Sequence, residues 1–270
     1  MNIFKFEFKR LFKSSIIWSL VCGALLVMFV AFFPSMKGSG MQELLDAKLD
    51  ALPSSILEAF NIGDTMDFTN ISDYLAYSIQ YIGMAAGVYG AILGVSALIK
   101  EESEGTIEFL YSKPTTRSKI LIAKLLSSAA IFSMFIFITS IITMIATYIV
   151  KPKEVSIISV VMDIKLIFIG IAFLGFIFMA IGFLISVFIK SGKQATSIAL
   201  GVYFTTYVIG ILGKMQENLK VLLYLSPSEY VVPSNIIKNG FEDRYVISGV
   251  IIIIFCLTLS YFIYNKKDLA

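Results

Sequence analysis

Six apolar runs, separated by polar breaks, divide the chain. They cover roughly Ser14 to Phe33, Tyr77 to Ile99, Ile120 to Val150, Leu166 to Ile189, Ala195 to Leu212 and Tyr245 to Tyr264. Each approaches or exceeds the ~20 apolar residues that carry an α-helix across a bilayer core. The pattern predicts an all-α polytopic membrane protein with six transmembrane helices, forming a single membrane domain over residues 1–270. The third run exceeds what a bilayer needs, so it is expected to tilt or to project beyond the membrane.

Two shorter amphipathic stretches flank the first span. In MNIFKFEFKRLFK, Phe4, Phe8, Leu11 and Phe12 share one face of a helix, and Lys5, Lys9 and Lys13 share another. That is the pattern of an N-terminal helix lying in the membrane interface. A basic flank that only orients the first span fits the same residues. Phenylalanines and charges interleave and no small-residue cleavage site follows, so this is not read as a signal peptide. Beyond the first span, Met41, Leu44, Leu45, Lys48, Leu49 and Leu52 recur with helical period. They predict a second amphipathic helix, broken by Pro53.

Span two carries Gly83, Gly87, Gly90 and Gly94 at steps that put all four on one helical face. Glycines at this spacing let another helix approach closely, because helices in lipid associate through packing. The neighbour is either another span of the same chain or the interface with a second subunit. Gly87→Leu is expected to disturb the fold more than Ala86→Leu.

Composition sharpens the class. The chain is 57% hydrophobic and 15% charged, against about 25% charged in a soluble domain. The net charge is only +3, and no basic tract suggests nucleic acid. The sequence has no histidine, which excludes a Ser-His-Asp triad and the usual zinc-hydrolase sites. No metal site and no catalytic residue is expected. Cys22 and Cys256, both within spans, are read as small core residues. The nearest approach to a phosphate-binding loop, Ser191-Gly192-Lys193-Gln194, lacks the upstream glycine and the hydroxyl after lysine. The chain is therefore not expected to hydrolyse ATP.

The break between spans two and three, KEESEGTIEFLYSKPTTRSKILIAK from Lys100 to Lys124, is the most informative. Glu101, Glu102 and Glu104 close span two outside the membrane. Gly105 allows a sharp turn, and Thr106 can cap a short helix with Glu108 in its first turn. Ile107, Phe109 and Leu110 give that helix an apolar side. Pro114 stops it, and Thr115 or Thr116 can cap the helix that follows. A short helix across the mouth of the bundle, exposing both charge and apolar surface, is suited to touch a partner.

The run Glu-Glu-x-x-Gly-Thr-x-Glu-x-Leu-x-x-x-Pro-x-x-Arg, Glu101 to Arg117, resembles the segment between spans two and three of type-2 permeases of ATP-binding-cassette transporters. The N-terminal amphipathic helix, the acidic outer loop with LPSSILEAFNIG, the six spans and the Leu-Ser-Pro stretch before the last span are similar too. The resemblance implies a cytoplasmic coupling helix that docks on a separate ATPase, with Glu102, Gly105, Thr106, Glu108, Leu110, Pro114 and Arg117 as the positions carried over. It also implies an exporter built from two permeases, identical or related, and two ATPases. ATP and Mg²⁺ would be bound by the ATPase and no cofactor by this chain. Drugs, lipids, antimicrobial peptides and ions all remain as cargo.

An even number of spans puts both termini on one side. Lys5, Lys9, Arg10 and Lys13 precede span one, and no base follows it immediately. The positive-inside rule then places both termini, and the coupling segment, in the cytoplasm of a plasma-membrane protein. Three rival readings are weaker. Intramembrane proteases of the Glu-Glu-x-x-x-Arg type need an arginine where Thr106 stands, and histidines that are absent. A secondary transporter would want an ionisable residue at mid-membrane, whereas the charges here cluster at span ends. A non-transporting scaffold or sensor subunit would function without an ATPase.

Overall fold

The computed structural model describes residues 3–36, 47, 49, 52–62, 67–103, 116–189 and 191–266, and for 54 and 100–103 the backbone only. Among these residues there are helices and no strand. The elements are α1 (Ile3–Met36), α2 (Ser54–Ala59), α3 (Ile71–Ser103), α4 (Arg117–Val150), α5 (Ile157–Ser186), α6 (Ala195–Met215), α7 (Pro233–Asn239) and α8 (Asp243–Lys266), with 3-10 turns at Gly192–Gln194, Glu217–Leu225 and Pro227–Val231. Six of them, α1, α3, α4, α5, α6 and α8, are long and apolar enough to cross a membrane. The predicted amphipathic helix around Met41 to Leu52 lies largely outside the described residues.

Local chemistry sets several ends. Thr116 caps α4, accepting a hydrogen bond from the Lys119 N–H at 3.4 Å. Pro233 opens α7, where its missing N–H costs nothing, and Gly240 follows it at φ +76°. Asn61, just beyond α2, adopts a left-handed φ of 59°. The N-terminal stretch differs from expectation. It is not a separate element but the first third of α1, which runs unbroken into span one. No glycine or proline stands between Phe8 and Trp18 to turn the chain, and Pro34 comes only in the last turn. At 1.5 Å per residue α1 is about 51 Å long, well beyond a ~30 Å bilayer core.

The bundle is organised around two tight pairs. In the first, α3 lies against α5. A Cβ on Gly90 would collide with the Gly175 carbonyl, and one on Gly94 with the Met179 carbonyl and the Phe183 N–H. Only glycine lets these backbones approach so far. Higher up, Gly83 faces Ile171, while Gly87 accommodates the ring of Tyr203 on α6. The glycine face of span two is thus packed by spans of this same chain. Ala86, a quarter-turn away, is fully buried as well, so Ala86→Leu is not the mild control the sequence suggested.

In the second pair α1 runs along α4. The Ser15 hydroxyl donates to the Ile131 carbonyl at 3.2 Å, and Gly23 makes room for Ile142. The pairs meet at mid-height, where Phe132 of α4 fills the notch at Gly175 and lies 5.5 Å from Phe176. α8 joins the outside of α5, seating Phe173 at Gly249. The outward faces of α1, α4, α6 and α8 are apolar, with Phe32, Phe137, Ile149, Phe204 and Phe255 exposed, as lipid contact requires.

Contacts between elements sort into two ends. At one lie the start of α1, the end of α3, the start of α4 and the end of α8. At the other, the Ser72 hydroxyl donates to Asp163 at 2.6 Å, Lys238 lies 4.0 Å from Asp73, and Lys214 meets Asn61. The starts of α1 and α4 and the ends of α3 and α8 therefore share one end, as an even span count demands.

Candidate functional site

The break between spans two and three emerges at the end that holds the start of α1. α3 continues helical through Lys100, Glu101 and Glu102 to Ser103, one turn past the predicted end of the span. Glu104, Gly105, Thr106, Glu108, Leu110 and Pro114, and with them the short helix expected there, lie outside the described residues, as do the side chains of Glu101 and Glu102. Arg117 is the first residue of α4 and directs a guanidinium N–H to the Asn265 carbonyl at 3.5 Å. Next to it the Ser118 hydroxyl lies 3.1 Å from the Tyr261 hydroxyl and 3.2 Å from the Asn265 side chain. The start of α4 is thereby tied to the end of α8.

Directly inside this mouth is a buried charge cluster that sequence reasoning missed. Lys124, in the second turn of α4, is 2% exposed. Its ammonium donates to the Ala97 carbonyl of α3 at 2.6 Å and lies 3.3 Å from a carboxylate oxygen of Glu7 on α1. The other Glu7 oxygen is 2.6 Å from the Arg10 guanidinium. A buried charge is tolerated only when paired and hydrogen-bonded, and here three helices supply the partners. The surrounding outer surface is apolar, with Phe6, Phe12, Ile122 and Leu126 exposed, so the cluster sits behind a lipid-facing wall.

A cavity of about 210 Å³ adjoins the cluster. Its walls come from Glu7, Leu11 and Ser14 on α1, Tyr89 and Ser96 on α3, and Lys124 on α4, among others. Above it, Tyr89 is held among aromatic rings, 5.0 Å from Trp18 in a near-parallel stack and 5.2 Å from Phe135 edge-on. The Tyr89 hydroxyl makes no hydrogen bond of ordinary geometry.

A second cluster closes the opposite end. Lys214, in the last turn of α6, pairs with Glu229 at 2.5 Å and with the side-chain oxygen of Asn61. Asn61 in turn donates to Gln80 of α3 at 3.2 Å. Its left-handed backbone aims that amide between α3 and α6. Glu229 is buried at 7% exposure. Nearby, Tyr230 stacks on Tyr245 at 5.1 Å and donates to the Tyr224 carbonyl. Burial pushes its phenol up to about 12, so it remains a neutral donor. A small cavity of about 40 Å³ lies beneath, bordered by Gln80, Tyr203, Tyr207 and Glu229.

Of the residues expected to face the interface, Phe4, Phe8 and Leu11 are half-buried and Phe12 is exposed. Phe8 and Leu11 pack on the core. Hydroxyls within spans three and five bond inside their own helices: Thr139 donates to Phe135, Thr143 to Thr139, Ser140 to Phe137 and Thr206 to Val202. Cys22 and Cys256 are buried free thiols. Among the described residues, no three His, Cys, Asp or Glu gather where they could hold a metal. The arrangement offers two ionic clasps, one at each end of a bundle of two helix pairs.

The missed residues had a signal. On a helical wheel Glu7 falls beside Leu11 and Phe4, at the edge of the apolar face and opposite Lys5 and Lys9, and Lys124 falls in the stripe of Ile120, Leu121, Ile131 and Phe135. A charge in an apolar stripe predicts burial with a partner.

A family model described as ABC-2 family transporter protein matches residues 1–269. No curated protein matches the chain.

Proposed function

The chain belongs to the ABC-2 family of transporter proteins, and on that footing we propose that it forms the translocation path of an exporter driven by a separate cytoplasmic ATPase. It is a membrane-spanning permease subunit of an ABC transporter. In this reading, residues 1–270 are one permease domain, and the segment from Glu101 to Arg117 is the joint to the ATPase. That partner binds ATP and Mg²⁺, and a second permease, identical or related, completes the path. Both termini and the joint face the cytoplasm of the plasma membrane.

The observation that supports this reading is where the helices flanking the segment lie, α3 ending and α4 beginning at one end of the bundle. α3 and α4 deliver the segment to the end that holds the basic start of α1, and Arg117 and Lys124 anchor its far side to α8, α3 and α1. A push on the segment therefore acts on helices that cross the whole bundle. The reading is tested with the purified permease–ATPase pair. Glu108→Lys sets a positive charge against the dipole of a short helix, and Gly105→Leu blocks the turn before it. Both should insert and fold, yet lose ATPase co-purification or permease-stimulated ATP hydrolysis. Normal binding and normal stimulation in both variants would mean that the segment is not the coupling element.

A further inference from the structure

The two helix pairs are joined unevenly. At mid-height they interlock, with Phe132 in the Gly175 notch and Tyr89 of α3 caged by Trp18 and Phe135 of the α1–α4 pair. Toward the inner end they part around the cavity of about 210 Å³. Beyond that space Lys124 bridges them again, reaching from α4 to the Ala97 carbonyl of α3. Ala97 stands eight residues past Tyr89, about 12 Å along the helix. A fixed point, a gap and a polar bridge follow one another along α3.

We propose that Lys124 is a releasable latch, which positions the inner end of α3 against the α1–α4 pair while α3 turns about Tyr89. The chemistry of the bridge fits release. Glu7 lies on α1, in the same pair as Lys124, so the ammonium keeps its carboxylate when α3 moves away. The Ala97 carbonyl belongs to a helix that continues to Ser103, so it keeps a backbone partner. Opening thus leaves the Lys124–Glu7 pair intact, and Ser14, Ser96, Ser128 and the Tyr89 hydroxyl can be wetted as the cavity widens. Ala97 is only a few residues from the Glu101–Arg117 segment. That an ATPase springs the latch rests on the reading of that segment as the joint; the latch itself is a property of the bundle.

Cysteine access across the cavity tests it. In a background with Cys22→Ser and Cys256→Ser, Ser14→Cys or Ser96→Cys is labelled with a charged, water-soluble methanethiosulfonate, and Lys153→Cys serves as a control remote from the latch. For the permease alone, Lys124→Met should speed labelling at both cavity positions by about tenfold, the change expected when one hydrogen bond to a charged group is lost. Labelling of Lys153→Cys should not change. Lys124→Arg, which has the cavity beside it to fill, should restore slow labelling. Equal rates in the parent and Lys124→Met, or an increase that extends to Lys153→Cys, or one that Lys124→Arg leaves in place, would overturn the latch. In the complex with its ATPase, trapping with ATP and vanadate should accelerate labelling of the parent and leave Lys124→Met unchanged. An unmoved parent rate would refute release by the ATPase, while ATPase binding by Gly105→Leu judges the joint separately.

Discussion

Gly90→Ala should destabilise this protein, although alanine is the better helix former. A Cβ at Gly90 would stand 3.0 Å from both Cα and the carbonyl carbon of Gly175 and closer still to its oxygen. Both partners are backbone, so no rotamer change relieves the clash, and α3 must move off α5. Overpacking of this kind costs about 1–3 kcal/mol. A gap of roughly 0.5–1 Å at the crossing also forfeits a quarter to a half of each dispersion contact there. Alanine returns about 1 kcal/mol through helix propensity. The expected net loss is therefore ~1–2 kcal/mol, after weighting the cost toward its upper end for a rigid backbone contact. Gly201 on α6 is the matched control, because a Cβ there meets nothing within 4 Å. Gly201→Ala should gain up to ~1 kcal/mol from propensity alone. Unfolding of the purified permease in mixed micelles of rising denaturing-detergent fraction, followed by tryptophan fluorescence from Trp18, would measure both. If Gly90→Ala were as stable as Gly201→Ala, the close approach of α3 and α5 would be refuted.

Two further outcomes follow from the charges. Lys214→Met should destabilise by about 3 kcal/mol, because it strands the buried Glu229 carboxylate; Lys214→Met with Glu229→Gln should recover part of that loss in the same unfolding assay, and equal losses would show the pair to be uncoupled. For topology, Glu58→Cys and Lys119→Cys, both exposed and at opposite ends, can be compared in cells lacking other thiols in this chain. An impermeant maleimide should label Glu58→Cys from outside and not Lys119→Cys, and the reverse pattern would invert the membrane orientation.

The spans were legible because lipid imposes a simple rule: a helix that crosses must be apolar for about 20 residues. All six appear within a few residues of their expected limits at most ends. The start of α5 is one of the larger shifts. The helix opens at Ile157 rather than near Leu166 because Asp163 and Lys165, which interrupt the apolar pattern, are still helical, and Asp163 is engaged by Ser72. The glycine face was likewise visible as spacing, but its partner was not. Nothing local in Gly90 or Gly94 says whether the approaching backbone is α5 or another subunit; that depends on which apolar faces fit, a property of the whole bundle. α1 runs unbroken because a change from amphipathic to apolar pattern is not itself a break, and helices end for backbone reasons that Lys13 and Ser14 do not supply. Charge placement marks the deepest division. Glu7 and Lys124 each stand out in sequence as a charge in or at the edge of an apolar stripe, yet they are separated by more than a hundred residues. Their pairing exists only because α1 lies along α4, and the bridge to Ala97 only because α3 ends beside both. Periodicity fixes which side of a helix avoids lipid. Only tertiary packing chooses what that side touches.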